Sequence, residues 1–348
     1  MSHNPAESVG WSVTAVASKQ LVYGLGTLGY EFSSDDHRKS FIAKITYMMK
    51  SAAEEVVSWL SDLGGKKPAE PTGLESDPDD PRQMVEYLRK NPSEAKGLIW
   101  TLIVDQAPIY AISPAGTDEG EIYARLIELL DGQARGDAAM DGADSGPDGM
   151  KAGDSEACIW LIGVAGRLGG RTIELRSGQI VPVLEVERAD RLNGLDIREL
   201  VDMTTAGAAE TKADRTQDRT SLTDNEIDER ERSRLRGFLN RIHFDSRNLG
   251  VTSRDRALNF AVFQGFSINN ADLWARSDFA TIFADDISME SIDIEKSAFE
   301  RGDGDTREVE FRFYDPTYTR NVEKVFRYTV DVSGVQPITV RMRHSDEM

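Results

Sequence analysis

Gly24-Leu25-Gly26-Thr27-Leu28-Gly29 is the first stretch whose residue types could do chemistry. It matches G-x-G-x-x-G, which holds a pyrophosphate when a strand feeds the first glycine and a helix N-terminus follows the third. Here the third glycine leads into Tyr30-Glu31-Phe32, and the first helix signal, Ser34-Asp35-Asp36, comes later. The pattern is therefore read as a glycine-rich turn that lets backbones pack closely. Four histidines, His3, His37, His243 and His344, are too far apart in sequence for i, i+3 or i, i+4 ligand pairs. Cys158 is the one cysteine, set in Ala157-Cys158-Ile159-Trp160, where a buried inert thiol is expected. The carboxylate groups Asp285-Asp286 and Asp303-Gly304-Asp305 read as solvated surface acids. No G-x-S-x-G elbow, Walker sequence or H-E-x-x-H is present. The expectation is no catalytic residue, no metal site and no cofactor.

The arginines are more informative. The longest helical pattern runs from Leu222 to Leu249, with Leu235, Phe238, Leu239 and Ile242 as its apolar stripe. Arg230, Arg234 and Arg241 lie along one flank, and Arg232, Arg236, His243 and Arg247 along the other. Arg254 and Arg256 follow at the next helix start. Glu226 with Arg230 and Asp228 with Arg232 are favourable i, i+4 pairs, so an ordinary solvated face is one reading. Recognition of peptide carboxylates is the other, with Arg241, Arg247 and Arg254 as the candidate contacts.

These residues sit in a chain of 348 residues with a net charge of −19. That charge argues against a general nucleic-acid binder, because phosphate binding is driven by local positive charge. An acidic peptide would also be repelled unless a basic patch compensated. No apolar run reaches the roughly 18–20 residues needed to cross a bilayer, and Met1 to Gly10 lacks a secretory pattern. One cysteine excludes a disulfide framework within the chain, so a cytoplasmic protein is expected.

The elements that must position these groups are of mixed type. Helices are predicted from Ser34 through Trp59, over Arg82–Asn91, Asp118–Leu130, Leu222–Leu249, Ser253–Phe266 and Asn270–Phe283. Strands are predicted over Leu98–Val104 and Pro108–Ser113, around an Asp105-Gln106-Ala107 turn. Further strands are predicted over Cys158–Val164, Arg171–Leu175 and Ile180–Val186. The last sixty or so residues alternate with period two, which predicts an antiparallel meander with one solvated face. The fold class is therefore α+β, central helices packed on antiparallel sheet with a C-terminal β-meander. Residues 1–19 are read as a flexible N-terminus and 20–343 as a single domain. Linkers are expected at 64–82 and 204–221, and a disordered insertion at 131–156, which has almost no large apolar side chain. The meander leaves strand edges, and pairing two copies is one way to cover them, so a homodimer is expected.

Leu21-Val22-Tyr23-Gly24-Leu25-Gly26-Thr27-Leu28-Gly29-Tyr30-Glu31-Phe32 with His37-Arg38-Lys39-Ser40-Phe41 resembles the opening of the domain of unknown function in PatG-type cyanobactin maturation proteases. Ordered matches follow at Asn91-Pro92-Ser93-Glu94-Ala95, Pro108-Ile109-Tyr110-Ala111-Ile112 and Ser177-Gly178-Gln179-Ile180-Val181-Pro182-Val183. Others are Phe238-Leu239-Asn240-Arg241-Ile242, Arg247-Asn248-Leu249-Gly250-Val251-Thr252, Asp255-Arg256-Ala257-Leu258-Asn259-Phe260 and Phe326-Arg327-Tyr328-Thr329-Val330-Asp331-Val332. They extend from about Leu21 to about Val340, with the linkers unmatched. The relatives carry this domain fused to a subtilisin-like protease, and no Gly-Thr-Ser nucleophile motif stands here. The resemblance implies a role in making a ribosomally synthesised, post-translationally modified peptide. A non-catalytic accessory that binds the precursor (leader) peptide and works with the pathway's modifying enzymes fits best. The alternatives are a metal-dependent or hydrolytic tailoring enzyme of the same pathway, and a structural assembly partner for its enzymes.

Members of that family often carry a cysteine pair before the penultimate strand, but Ala298 to Thr306 has none. The purified protein is expected to hold no stoichiometric zinc. Elemental analysis after dialysis checks this, and a full equivalent of retained zinc would overturn it.

Overall fold

The structure, a computed structural model, describes residues 20–62, 76–140, 159–196, 248–267, 288–298, 304–314 and 323–347. The predicted helix Asn270–Phe283, the linker 204–221 and most of the predicted helix Leu222–Leu249 lie outside them.

Strand β1 (Gln20–Phe32) sets the plan. Its first part, Gln20 to Gly26, pairs antiparallel with β4 (Ile159–Glu174), and its second part, Thr27 to Phe32, with β2 (Leu98–Val104). Strand β2 turns into β3 (Ala107–Pro114) through Asp105 (φ 49°) and Gln106 (φ 61°), a two-residue hairpin turn with both central residues left-handed. Strand β3 runs parallel to β5 (Ile180–Val186), and β5 returns antiparallel to β4. The order β1-β2-β3-β5-β4 thus closes back on β1, and β6 (Leu192–Asp196) adds to β4. One parallel pair and a helix between β3 and β4 make this an OB-type five-stranded Greek-key barrel. Trp100, Leu102, Tyr110, Ile112, Ile162, Val164 and Leu184 are buried together, with Val22 and Leu28 of β1.

The glycine motif lies inside β1, not at a turn. A Cβ on Gly26 would stand 2.4 Å from the Ile103 carbonyl oxygen, so β2 could not cross there over any other residue. The sequence reading of close backbone packing holds, while the turn is corrected to a strand. Its glycines are committed to the strand ladders on either side, which leaves no amide cradle for a pyrophosphate.

A strand shared in this way has two half-edges to satisfy. Beyond Gly26, β4 no longer serves β1. There the Gln133 side chain takes its place, accepting from the Leu28 N–H (2.7 Å) and donating to the Leu28 carbonyl (2.9 Å). Before Thr27, β2 has not yet reached β1. There the Tyr23 N–H donates to the Gly250 carbonyl (2.9 Å) and Asn259 Nδ2 donates to the Tyr23 carbonyl (2.8 Å). Asn248 holds Asn259 in place (2.6 Å) and accepts from the Gly250 N–H (3.0 Å). Gly250 has φ +73°, and a Cβ on it would lie 2.0 Å from the Tyr23 carbonyl oxygen.

Gln133 belongs to α3 (Glu119–Met140), which continues well past the predicted end at Leu130. This corrects the reading of 131–156 as a disordered insertion: 131–140 is helix, Ala134 is buried, and Asp131 pairs with Arg89 and Arg135. The remainder, 141–156, lies outside the described residues. The composition misled because one polar side chain, not an apolar one, docks this turn. Two other corrections concern connectivity. The segments predicted as separate strands at Cys158–Val164 and Arg171–Leu175 are joined in one strand, β4, with a register jump between Leu168 and Thr172. Asn248 and Leu249 are not helical, because their groups serve β1 and Tyr110, whose hydroxyl donates to the Leu249 carbonyl (2.9 Å).

Helices α1 (Asp35–Asp62) and α2 (Pro81–Lys90) fall between β1 and β2. Asp80 caps α2 with Pro81 in its first turn, and the helix stops at Asn91 before Pro92. Helix α4 (Ser253–Phe266) starts with a Thr252/Asp255 capping box. It is buried on nearly every side, through Ala257, Leu258, Phe260, Ala261, Val262 and Phe263. One side meets Tyr23, Leu25, Leu161 and Ala165 on the outside of the barrel. The other meets a four-stranded antiparallel sheet, β7 (Ser288–Lys296), β8 (Thr306–Tyr314), β9 (Glu323–Asp331) and β10 (Ile338–Glu347). The α+β class and the C-terminal meander are as the sequence predicts.

The two side-chain amides that complete β1 give a direct test. Gln133→Ala and Asn259→Ala each leave buried backbone groups unpaired, at a cost of roughly 2 kcal/mol. Urea unfolding should show a lower midpoint for each with an unchanged slope.

Candidate functional site

The sheet order puts β10 at one edge of the meander and β7 at the other. Period-two alternation sends Val309, Phe311, Phe326, Tyr328 and Val330 into the core against α4. The charged residues between them form rows across the outer face. Asp293 of β7 stands opposite Glu310 of β8, Glu310 opposite Arg327 of β9, and Arg327 opposite Arg343 of β10. A second row runs Glu295, Glu308, Thr329, Arg341. The face is thus acidic toward β7 and basic toward β10. Glu310 is paired by both Arg312 and Arg327 within the sheet.

Strand β10 is exposed from Ile338 to Arg343. Ile338 (56 %), Val340 (55 %) and Met342 (43 %) are among the most exposed large apolar side chains described, and Arg341 and Arg343 alternate with them. A register irregularity falls between Thr339 and Arg341. An edge strand with this composition can accept another strand, its main chain supplying hydrogen bonds and its arginines fixing register.

Buried Arg256 (3 % exposed) holds this edge in position. From α4 its Nη1 donates to the Val332 carbonyl and its Nη2 to the carbonyls of Gly334 and Val335 (3.1 Å for the last), which are the turn between β9 and β10. Burial pushes its pKa down to about 10, partly offset by the charges of Asp305 and Asp331, so it stays protonated at neutral pH. Asp305 accepts from the Ser253 hydroxyl and from Arg307 Nε (2.8 Å). Its burial raises the carboxyl pKa, but the hydrogen bonds from Ser253 and Arg307 and the charges of Arg307 and Lys296 outweigh this and hold it below its ordinary value.

Of the arginines singled out from sequence, Arg241 and Arg247 lie outside the described residues. Arg254 is exposed in the first turn of α4. Arg256 is structural. Arg341 and Arg343 were missed, although the alternation of Ile338, Val340 and Met342 with arginine was there to be read. Among the described residues, no group of three or more His, Cys, Asp and Glu side chains is placed to hold a metal ion. Cys158, His3 and His243 lie outside them. An open cleft of about 690 Å³ beside α1 and α2 is lined by Lys44, Tyr47, Glu55, Tyr87 and Lys90. Its lysines are paired, Lys44 with Glu94 and Lys90 with Glu86.

Two family models match the chain, "PatG Domain" over residues 21–149 and "PatG C-terminal" over residues 225–345. A solved structure titled "PatG Domain of Unknown Function" is 32 % identical, with 95 % of this chain and 100 % of that chain covered at a TM-score of 0.63. The chain belongs to the PatG domain family. No curated protein matches it. The first PatG match covers β1 to α3 and the second covers α4 and the meander, so the barrel strands β4, β5 and β6 fall between them. PatG-related domains set this chain in a cyanobactin pathway context. No helix among the described residues is long and apolar enough to cross a membrane.

The Asp305 contacts make the PatG-type domain sensitive to acid in one defined way. A carboxyl whose folded pKa is depressed adds stability above its unfolded pKa, about 3.9, and loses it as pH falls through the folded value. Asp305→Asn should therefore lower Tm at pH 7 and flatten the fall of Tm below pH 4. Scanning calorimetry across pH 2–7, in roughly half-unit steps, reads both effects.

Proposed function

We propose that this PatG-type domain is a non-catalytic accessory that binds an extended, acidic stretch of precursor peptide by strand addition to β10. The observation that carries the reading is the polarised outer face of the meander, whose basic end coincides with an exposed edge strand. A peptide paired along β10 beyond the irregularity at Val340 would gain main-chain hydrogen bonds, set one row of its side chains against Met342, and offer carboxylates from the alternate row to Arg341 and Arg343. This local positive charge answers the repulsion that a chain of −19 exerts on an acidic peptide. The cyanobactin context supplies the class of ligand, and a pathway enzyme acting on the held peptide supplies the chemistry.

The test is fluorescence anisotropy with a labelled synthetic peptide of alternating glutamate and valine, alongside leader peptides encoded near the gene. Exposed charge pairs contribute roughly 0.2–1 kcal/mol each, so Arg341→Ala/Arg343→Ala should weaken binding by roughly two- to thirtyfold at low salt. Added salt should weaken wild-type binding and erase that difference. N-methylation of alternate peptide amides should abolish binding, because it removes the donors of strand pairing. Affinity unchanged by the variant, by salt and by N-methylation would overturn the reading. Light scattering in parallel shows whether a second copy takes the same edge; a dimer that dissociates as peptide binds supports β10 as the site, and one that binds peptide without dissociating through β10 argues against it.

A further inference from the structure

The β4–β5 hairpin ends in a tip, 171–180, in which only Ile173 and Leu175 are not exposed. Leu175 is 2 % exposed. It lies with Val181 and Val183 against Ala111 of β3 and Ile99 of β2, a separate apolar cluster on the outside of the barrel. The floor under it is made of small residues, since Ala111 stands opposite Thr101. The tip is joined to the barrel through a break. Leu168 of β4 pairs with Leu184, but Thr172 pairs with Pro182, so β4 has two residues more than β5 between the same rungs. Gly169 and Gly170 fall in that bulge; Gly170 has φ +77° and nothing within 4 Å of its Cβ position. This is the composition of a hinge.

Beside the bond from Arg171 Nη2 to the Glu185 carboxylate (3.2 Å), which spans the hinge, three polar contacts hold the tip down. The Arg176 N–H donates to the Glu31 carboxylate (2.9 Å), Gln179 Nε2 donates to the Pro108 carbonyl (2.7 Å), and the Arg176 guanidinium is 3.5 Å from Asp35. All are at exposed positions, where such contacts contribute little net stability. Pro108 precedes the part of β3 that pairs with β5, which begins at Ala111. Gln179 therefore occupies a backbone acceptor that a strand could use, and Leu175 occupies the place of an incoming apolar side chain.

We propose that the hairpin tip is a hinged flap, opening at Gly169-Gly170 to admit an extended apolar peptide segment onto Ile99, Thr101, Ala111 and the half-edge of β3. It rests on the peptide-binding reading above, but on another face and through apolar contact in place of charge. The flap's inner face is a built-in stand-in for that segment, which displaces Leu175 and Gln179 on binding.

Hydrogen exchange on the whole chain tests the motion. In wild type, the amides of Leu175, Arg176 and Gly178 should exchange at least roughly tenfold faster than those of Trp100, Leu102 and Tyr110. Glu31→Ala/Gln179→Ala should accelerate the tip by a further several-fold and leave the barrel amides unchanged. Leu175→Ala, which removes the apolar anchor and keeps the latch, should do the same and serves if the double variant fails to fold. A labelled uncharged peptide of alternating valine and threonine should bind the latch variant at least threefold tighter than wild type. That binding should be indifferent to salt and to Arg341→Ala/Arg343→Ala, which separates it from the β10 site. Tip amides that exchange in step with β2 and β3 in every variant would overturn the proposal. So would a tip that opens faster with no gain in peptide binding.

Discussion

The sharing of β1 between β4 and β2 is the constraint from which the rest of the structure follows. A strand that changes partners midway closes a small barrel without a sixth strand, but it leaves one open half-edge on each side. Unpaired backbone groups inside a protein are too costly to leave. Neither half-edge is completed by a strand: Gln133 of α3 takes both groups of Leu28, and at Tyr23 the Gly250 carbonyl takes the N–H while Asn259 of α4 donates to the carbonyl. The Gln133 amide offers one donor and one acceptor at the spacing of a peptide group, which no aliphatic residue can do, while Asn259 gives its donor to β1 and its acceptor to Asn248. Helices α3 and α4 are thereby fixed to the barrel at a few polar points, with Arg125 of α3 also donating to the Leu192 carbonyl of β6, and apolar packing fills in around them.

From that anchoring the second layer follows. Helix α4 carries Asn259 toward β1 and Arg256 toward the β9–β10 turn, so one helix positions both the barrel and the meander. The buried guanidinium satisfies carbonyls that a turn of this kind would otherwise leave to water. Burial lowers its pKa but not enough to discharge it at neutral pH. The placement of β10, and with it the polarity of the outer face, is a downstream result of where α4 sits.

Much of this was legible in the residues. The turn after β2, the helices over Arg82–Asn91 and Ser253–Phe266 and the period-two alternation of the last strands are local signals, and the structure realises them, with the first of those helices starting at Pro81 and the turn confined to Asp105-Gln106. What failed to show was long-range pairing. Nothing near Gly24 says that its strand serves two partners, and nothing near Gln133 says that it replaces a strand more than a hundred residues away. The composition around Asp131 therefore argued for disorder where a helix runs. The candidate site was missed for a related reason: arginines on a helix announce themselves as a cluster, whereas Arg327, Arg341 and Arg343 come together only through the register of two strands, β9 and β10.

The clasp between Tyr23 and Asn259 also joins residues 236 positions apart. During synthesis β1 emerges early, while the residue that closes its edge is made much later. At roughly 5–20 residues per second, that interval is on the order of ten to fifty seconds. Throughout it the nascent chain presents an unclosed strand edge lined by Tyr23 and Leu25, a template for pairing with any other extended segment. The glycines at 24, 26 and 29 shape this period as well as the folded barrel. They weaken the isolated strand's own tendency to form sheet, so the chain stays uncommitted until its proper partners have been translated.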